Sequence, residues 1–165
     1  MNNIILTGMP GAGKSTIGVV LAKRLGYRFV DSDLVIQERT GRLLHQIIEE
    51  KGIDGFIQVE NEINESLDME KTVIATGGSA VYGKEAMVHF KSIGTIIYLE
   101  LSCESIAHRL GDLSERGVTV RKGQTLEDLY EERIPLYRRY ADIIIDCEDK
   151  MIKDIAAEIE SALKN

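Results

Sequence analysis

Nine residues near the start of the chain, Gly8-Met9-Pro10-Gly11-Ala12-Gly13-Lys14-Ser15-Thr16, contain the eight-position pattern G-x-x-x-x-G-K-[ST] in full. They lie after a short apolar run, residues 3–7, and precede an amphipathic stretch, residues 14–25, that stops at Gly26. In a strand, Gly-rich turn and helix of this kind, successive backbone N–H groups and the positive end of the helix converge on phosphate oxygens. Gly11, Ala12, Gly13, Lys14, Ser15 and Thr16 are therefore expected to hold the phosphates of ATP. Lys14 would bridge the β- and γ-phosphates, and the Ser15 hydroxyl would join the shell of a Mg²⁺ ion. A turn that only linked strand to helix would need neither the lysine nor the hydroxyl.

Beyond this loop the chain keeps alternating strand-like and helix-like segments. Short β-branched runs at 28–31, 72–76, 95–99 and 142–146 are apolar on both faces for the most part, the mark of buried parallel strands. Amphipathic stretches at 43–51, 55–67, 84–90, 103–110, 126–140 and 151–163 lie between or after them, the last with Ile152, Ile155, Ala156, Ile159 and Leu163 on one face. The alternation predicts a three-layer α/β/α sandwich with a site beyond the carboxyl ends of its strands. With 165 residues, 44% of them hydrophobic, the chain suits one domain, residues 1–165, and needs no staple to hold its core.

Charge and cysteine usage remove several classes of partner. Net charge is −7, the wrong sign for a protein that tracks a nucleic-acid backbone, so any bound anion must be held locally. Cys103 and Cys147 lie far apart without metal-ligand spacing, which excludes a zinc site and suits a reducing compartment. His45, His89 and His108 share no such spacing either. The first residues carry no basic leader and the chain has no run of membrane-spanning length, so a cytoplasmic protein, free of membrane and monomeric, is expected.

A P-loop names a superfamily, and the rest of the chain chooses the reaction. There is no NKxD motif and no D-x-x-G after a strand, which removes a GTPase switch; no strand ends in a vicinal Asp-Glu pair, which removes a motor. A small P-loop kinase remains. Its second strand ends in Asp31-Ser32-Asp33, two carboxylates that extended chain would point the same way. Asp31 is placed near the metal, and Asp33 can take the proton of an attacking hydroxyl. Asp33 is equally placed to cap a helix starting at Leu34, and the two roles are compatible. Residues 111–123, polar and bounded by glycines, have the composition of a mobile lid.

With these features in place, the chain resembles the shikimate kinase family over nearly its whole length. The matching segments are residues 8–16, Phe29 to Asp33, Glu38-Arg39-Thr40-Gly41-Arg42, Gly55-Phe56, Ala75-Thr76-Gly77-Gly78, His108-Arg109, Thr119-Val120-Arg121 and Arg133-Ile134-Pro135-Leu136-Tyr137-Arg138. The resemblance implies a five-stranded sheet in the order 2-3-1-4-5, a lid over ATP and an acceptor-binding region near residues 31–62. It implies that the γ-phosphoryl group passes from ATP to a hydroxyl of a small polyhydroxylated molecule, shikimate first, with shikimate 3-phosphate as product. Asp33 then resembles the aspartate that holds the acceptor hydroxyls, Gly77 and Gly78 the glycines whose backbone meets the acceptor, and Arg133 the arginine that pairs with its carboxylate. Arg121 resembles the lid arginine that closes on the phosphates, and Arg109 the arginine against adenine. A guanidinium on a mobile loop would neutralise charge developing on the transferred group.

Two positions depart from the pattern. Where the family has a second carboxylate-binding arginine this chain has Ile57, with Gln58, Arg39 or Arg42 as candidate substitutes, and the family's third glycine is Ser79. The ATP half is thus intact and the acceptor half altered. This leaves two rival expectations: a kinase of the same family for another small alcohol or polyol, or a nucleotide-binding regulatory module with a decayed acceptor site. Retention of Asp31, Asp33, Arg121 and Arg133 speaks against decay. Tyr137 and Tyr140 are expected to pack the last third of the chain, not to stack on a base.

Overall fold

The computed structural model describes residues 2–111 and 121–165. Strands β1 (Asn3–Thr7), β2 (Arg28–Asp31), β3 (Thr72–Ala75), β4 (Gly94–Glu100) and β5 (Ile143–Asp146) form one parallel sheet in the order β2-β3-β1-β4-β5. Every residue of β1 and β3 is buried. Because side chains alternate between faces, both faces of the central strands must be covered, as the apolar runs predicted. The helices that do so are α1 (Lys14–Leu25), α2 (Ser32–Thr40), α3 (Leu44–Glu65), α4 (Lys84–Ile93), α5 (Cys103–Leu110), α6 (Leu126–Tyr140) and α7 (Ile152–Leu163), with a 3₁₀ turn at Ala80–Tyr82.

Expected and observed boundaries agree within three residues, with three informative exceptions. The stretches 43–51 and 55–67 join into α3, bent at Gly52, whose φ of 75° and ψ of 175° break the helical ladder. Helix α2 starts at Ser32, not Leu34, and its cap is Asp31. On α7, Ile155, Ala156 and Ile159 are buried as expected, whereas Ile152 is exposed.

Register carries the site. Leu6 of β1 and Asp31 of β2 both pair with Ala75 of β3, so three neighbouring strands end at one level. Thr76, just past β3, donates both its backbone N–H and its hydroxyl to the Leu6 carbonyl, at 3.1 and 2.8 Å. At the opposite end Asn3 is buried but fully used: its amide donates to Met69 and Ile93 carbonyls and accepts from Thr72 N–H. The main core lies on either side of the sheet, and a small second cluster, Ile36, Ile47 and Phe56, ties α2 to α3 beside the strand ends.

Candidate active site

A cavity of about 280 Å³ opens at the carboxyl ends of β1, β2 and β3 and is lined by the P-loop, Asp31, Asp33, the segment from Thr76 to Ser79, and Arg133. Gly13 stands before α1 at φ 86°, a left-handed conformation that a Cβ disfavours, and this turn is what starts the helix with its N–H groups facing the cavity. Lys14 is buried, and its ammonium donates to the carbonyls of Gly8 and Met9 at 2.7 and 2.9 Å. Burial lowers its pKa to about 8, against the pull of the Asp33 charge.

Asp31 and Asp33 are both at the cavity but in different roles. Asp31 ends β2; its Oδ1 accepts the Asp33 N–H at 3.0 Å, and its Oδ2 accepts the Ser15 hydroxyl at 2.9 Å. Asp33 lies in the first turn of α2, so the two carboxylates are not displayed side by side from extended chain as the spacing suggested, and the capping role assigned to Asp33 falls to Asp31. Asp33 is pushed up to about 6, first by burial, then by the Asp31 charge, with Lys14 opposing. It is therefore a carboxylate poised to take a proton near neutral pH.

The acceptor end is built from β3's exit and α6. A Cβ on Gly77 would stand 2.6 Å from Asp33 Oδ1 and 3.0 Å from Glu60 Oε2, so the glycine leaves those oxygens uncovered. Arg133 reaches in from α6 almost fully buried; its guanidinium lies 5.4 Å over the Tyr82 ring, and its Nε donates to the Tyr82 hydroxyl. Tyr137, one turn on, stacks on Tyr98 with centroids 5.0 Å apart and donates its hydroxyl to the Gly78 carbonyl at 2.6 Å. That is the packing role expected of it, now extended to fixing the glycine segment. Tyr140 is half-buried against the main core.

Glu60 escaped the reading of the sequence. It is 1% exposed, its Oε1 accepts the Ser79 hydroxyl at 2.7 Å, and its Oε2 has no partner among the described residues. Burial raises it to about 7, the Ser79 hydrogen bond opposes, and the Asp33 charge adds to the rise. The signal was present in α3: Glu60 lies four residues after Phe56 and four before Asn64, which puts a carboxylate on the helix's buried face.

The departures are also placed. Ile57 is half-buried among Ile53, Tyr82, Leu129 and Glu132, beside the cavity and not in its lining. Its three candidate substitutes are engaged elsewhere: Gln58 with Glu62, Arg39 with Ser66, and Arg42 with Glu50. Among the described residues the cations lining the cavity are Lys14 and Arg133. Ser79 turns its hydroxyl to Glu60 and closes the cavity wall after Gly78.

The two remaining arginines stand outside that lining. Arg109, near the end of α5, donates to the Gly11 carbonyl at 3.1 Å and so sits over the P-loop. Arg121 pairs with Asp54 of α3 at 2.7 Å, both exposed, and the structure does not bring it to the P-loop. Most of the expected lid, residues 112–120, lies outside the described residues.

Among the described residues no three His, Cys, Asp or Glu side chains gather as a metal cage, and Cys103 and Cys147 are free thiols. Ser15 and Asp31 do suit Mg²⁺, which is bound through one or two protein oxygens with phosphate and water completing its octahedron. No helix of the described residues is long and apolar enough to cross a membrane.

Comparison with known proteins agrees with this geometry. A family model described as shikimate kinase matches residues 10–164. The chain is 39% identical over 165 residues to the shikimate kinase of Vibrio parahaemolyticus, covering 98% of this chain and 96% of the relative. It is 40% identical over 167 residues to that of Haemophilus influenzae, covering 99% and 93%. Among solved structures it superposes on Acinetobacter baumannii shikimate kinase in complex with shikimate with a TM-score of 0.91, at 33% identity over 99% of this chain and 93% of that one. For the Aquifex aeolicus shikimate kinase the TM-score is 0.85, at 34% identity over 98% and 96%.

Proposed function

The chain belongs to the shikimate kinase family, and on that premise we propose the reaction of its site: transfer of the γ-phosphoryl group of ATP to the 3-hydroxyl of shikimate. The observation that carries it is the meeting of a complete P-loop, Asp33 and the buried Arg133 around one cavity. Catalysis of this kind is positioning plus electrostatics. Lys14 and the P-loop N–H groups hold the β- and γ-phosphates, exchanging the Gly8 and Met9 carbonyls for phosphate oxygens. Arg133 pairs with the shikimate carboxylate as a charge-assisted bond. That orients the ring so that its 3-hydroxyl donates to Asp33, which takes the proton as the oxygen attacks phosphorus. Ser15 and Asp31 would hold Mg²⁺, whose charge offsets that on the phosphates. Arg121, leaving Asp54, would add its guanidinium to the transferred group, and Arg109 would pack on the adenine.

Release of ADP from the wild-type protein and Lys14→Ala, with and without shikimate, tests this. Shikimate-dependent release that Lys14→Ala abolishes while staying folded is expected. No release with shikimate raised to tens of millimolar overturns the assignment. A second reading, a differently hydroxylated acceptor, has one observation behind it: Ile57 and its three candidate substitutes bring no second cation to the cavity. A panel of hydroxy acids and polyols in the same assay separates the two.

A further inference from the structure

The buried pair Ser79 and Glu60 has no task in that reaction, and its hydrogen bond runs from the serine to the carboxylate. Ser79 Oγ donates to Glu60 Oε1 at 2.7 Å, in a place where both residues are nearly fully buried. A serine hydroxyl has one hydrogen and two lone pairs. While Glu60 is ionised the hydrogen is committed to the carboxylate, and the Ser79 oxygen can then only accept. Two other acceptors stand nearby: the Asp33 carboxylate and Glu60 Oε2 lie within 3.0 Å of a single point above Gly77. Glu60 Oε2 is itself buried and has no partner among the described residues. The donors of Arg133 stand on the same wall, its Nη1 2.8 Å from where a Cβ on Gly78 would be.

We propose that Ser79, with its hydroxyl oriented by Glu60, is a specificity-determining residue that takes a hydrogen bond from a second, non-reacting hydroxyl of the acceptor. Asp33 receives the reacting hydroxyl and Ser79 a further one, so the wall selects molecules with more than one O–H donor beside the anionic group that Arg133 holds. Glu60 acts through Ser79 and is a positioning residue. A hydroxyl next to a carboxylate is also a stronger acceptor than a free one, because the partial charge on Oγ rises as its hydrogen is drawn away. Discrimination arises because an acceptor lacking the hydroxyl leaves a buried polar group unpaired.

The proposal rests on the shikimate reading, and the test separates the two. Steady-state kinetics at saturating ATP are measured on shikimate and on its 4-deoxy and 5-deoxy analogues, with binding of each monitored by calorimetry. The wild type should show a KM about 10-fold higher for one of the two analogues than for shikimate. Ser79→Ala should raise the shikimate KM about 10-fold, leave that analogue's KM in place and leave the KM for ATP in place. Ser79→Thr, which keeps the hydroxyl, should restore discrimination. Glu60→Gln should lose it, because an amide N–H turned to Ser79 sends the hydroxyl hydrogen into the cavity. If Ser79→Ala changes shikimate and both analogues by one common factor, or changes none, Ser79 is structural and the proposal fails while the reaction stands. Should Ser79→Ala not fold, the same comparison on Glu60→Gln decides. A wild type that neither binds nor phosphorylates shikimate overturns the parent reading and this proposal together.

Discussion

Asp31 Oδ1 accepts the backbone N–H of Asp33 at 3.0 Å, so one carboxylate starts the helix and the other is spared that duty. The same Asp31 takes the Ser15 hydroxyl on its second oxygen. A single side chain thus couples the P-loop helix to α2 and sets where Asp33 stands.

This division of labour makes Asp33→Asn a clean test. Asn keeps the size of the side chain and removes the base, and Asp33 has no capping duty to lose. kcat should fall about 10²-fold or more, with the melting temperature within a degree or two and nucleotide affinity little changed. Asp31→Ala should do the reverse for stability, losing about 1 kcal/mol with the cap. A normal kcat in folded Asp33→Asn would remove Asp33 from the reaction.

Two shifted groups set the pH profile. Asp33, raised to about 6, accepts a proton only above that pH, and Lys14, lowered to about 8, carries its charge only below it. With both substrates limiting, so that the rate reports the free enzyme, the profile should therefore be a bell with limbs near pH 6 and pH 8. Asp33→Asn should flatten the acid limb of whatever activity remains. An acid limb that persists unchanged in that variant would belong to another group.

Glu60 makes a second prediction about pH, on stability. Its folded pKa, about 7, lies above the unfolded value near 4.5, so it favours the folded state fully at low pH and loses that contribution as pH rises through 7. The wild type should lose on the order of 3 kcal/mol from this group between pH 5 and pH 8. In Glu60→Gln that part of the slope should vanish, the variant gaining on the wild type as pH rises. Chemical denaturation of both proteins across this range measures it, and parallel pH curves would refute it.

Much of this was legible in the chain because local signals agreed. A full P-loop between an apolar run and an amphipathic stretch specifies strand, turn and helix together, and five apolar runs separated by helical periods leave few topologies. The site was legible where a residue's role is set by its own segment, as with Lys14 and Ser15. It was not where the role depends on long-range partners. The cap of α2 fell to Asp31 and not Asp33 because the start of the helix is fixed by Ser15 and the strand end as well as by local propensity. Glu60 carries no local signal of a role, and only its contact with Ser79, nineteen residues away, shows what it touches. Arg121 carries a charge that any nearby carboxylate can claim, and here Asp54 does.

That exposed pair contributes little to stability, on the order of 0–1 kcal/mol for surface ion pairs in general. Arg121→Ala should therefore leave the melting temperature in place while lowering kcat by at least 10²-fold, with ATP affinity changed less than fivefold, as expected of a group that acts in the transition state. Asp54→Ala should leave kcat at the wild-type level or above it. Loss of ATP affinity equal to the loss in kcat/KM, with kcat intact, would make Arg121 a ground-state binder only.

The last prediction turns on Ile57. Arg133 is the cation at the acceptor end of the cavity, and Ile57 stands beside it on α3 with an apolar side chain packed toward Tyr82 and Leu129. A carboxylate held by one guanidinium keeps a second oxygen that needs partners, and an aliphatic neighbour removes water without replacing it. The shikimate KM should therefore be high, in the range above 1 mM. An arginine at this position can extend along the same helix face and place its guanidinium next to that of Arg133, with Glu60 and Glu132 nearby to balance the added charge. Ile57→Arg should lower the shikimate KM by about 30-fold, the equivalent of about 2 kcal/mol for a charged hydrogen-bonded pair, and leave the KM for ATP unaffected. Steady-state kinetics of the two proteins at saturating ATP measure this. A wild-type KM already in the micromolar range that Ile57→Arg fails to improve would mean that Arg133 alone, with Ser79 and the glycine backbone, holds the acceptor fully.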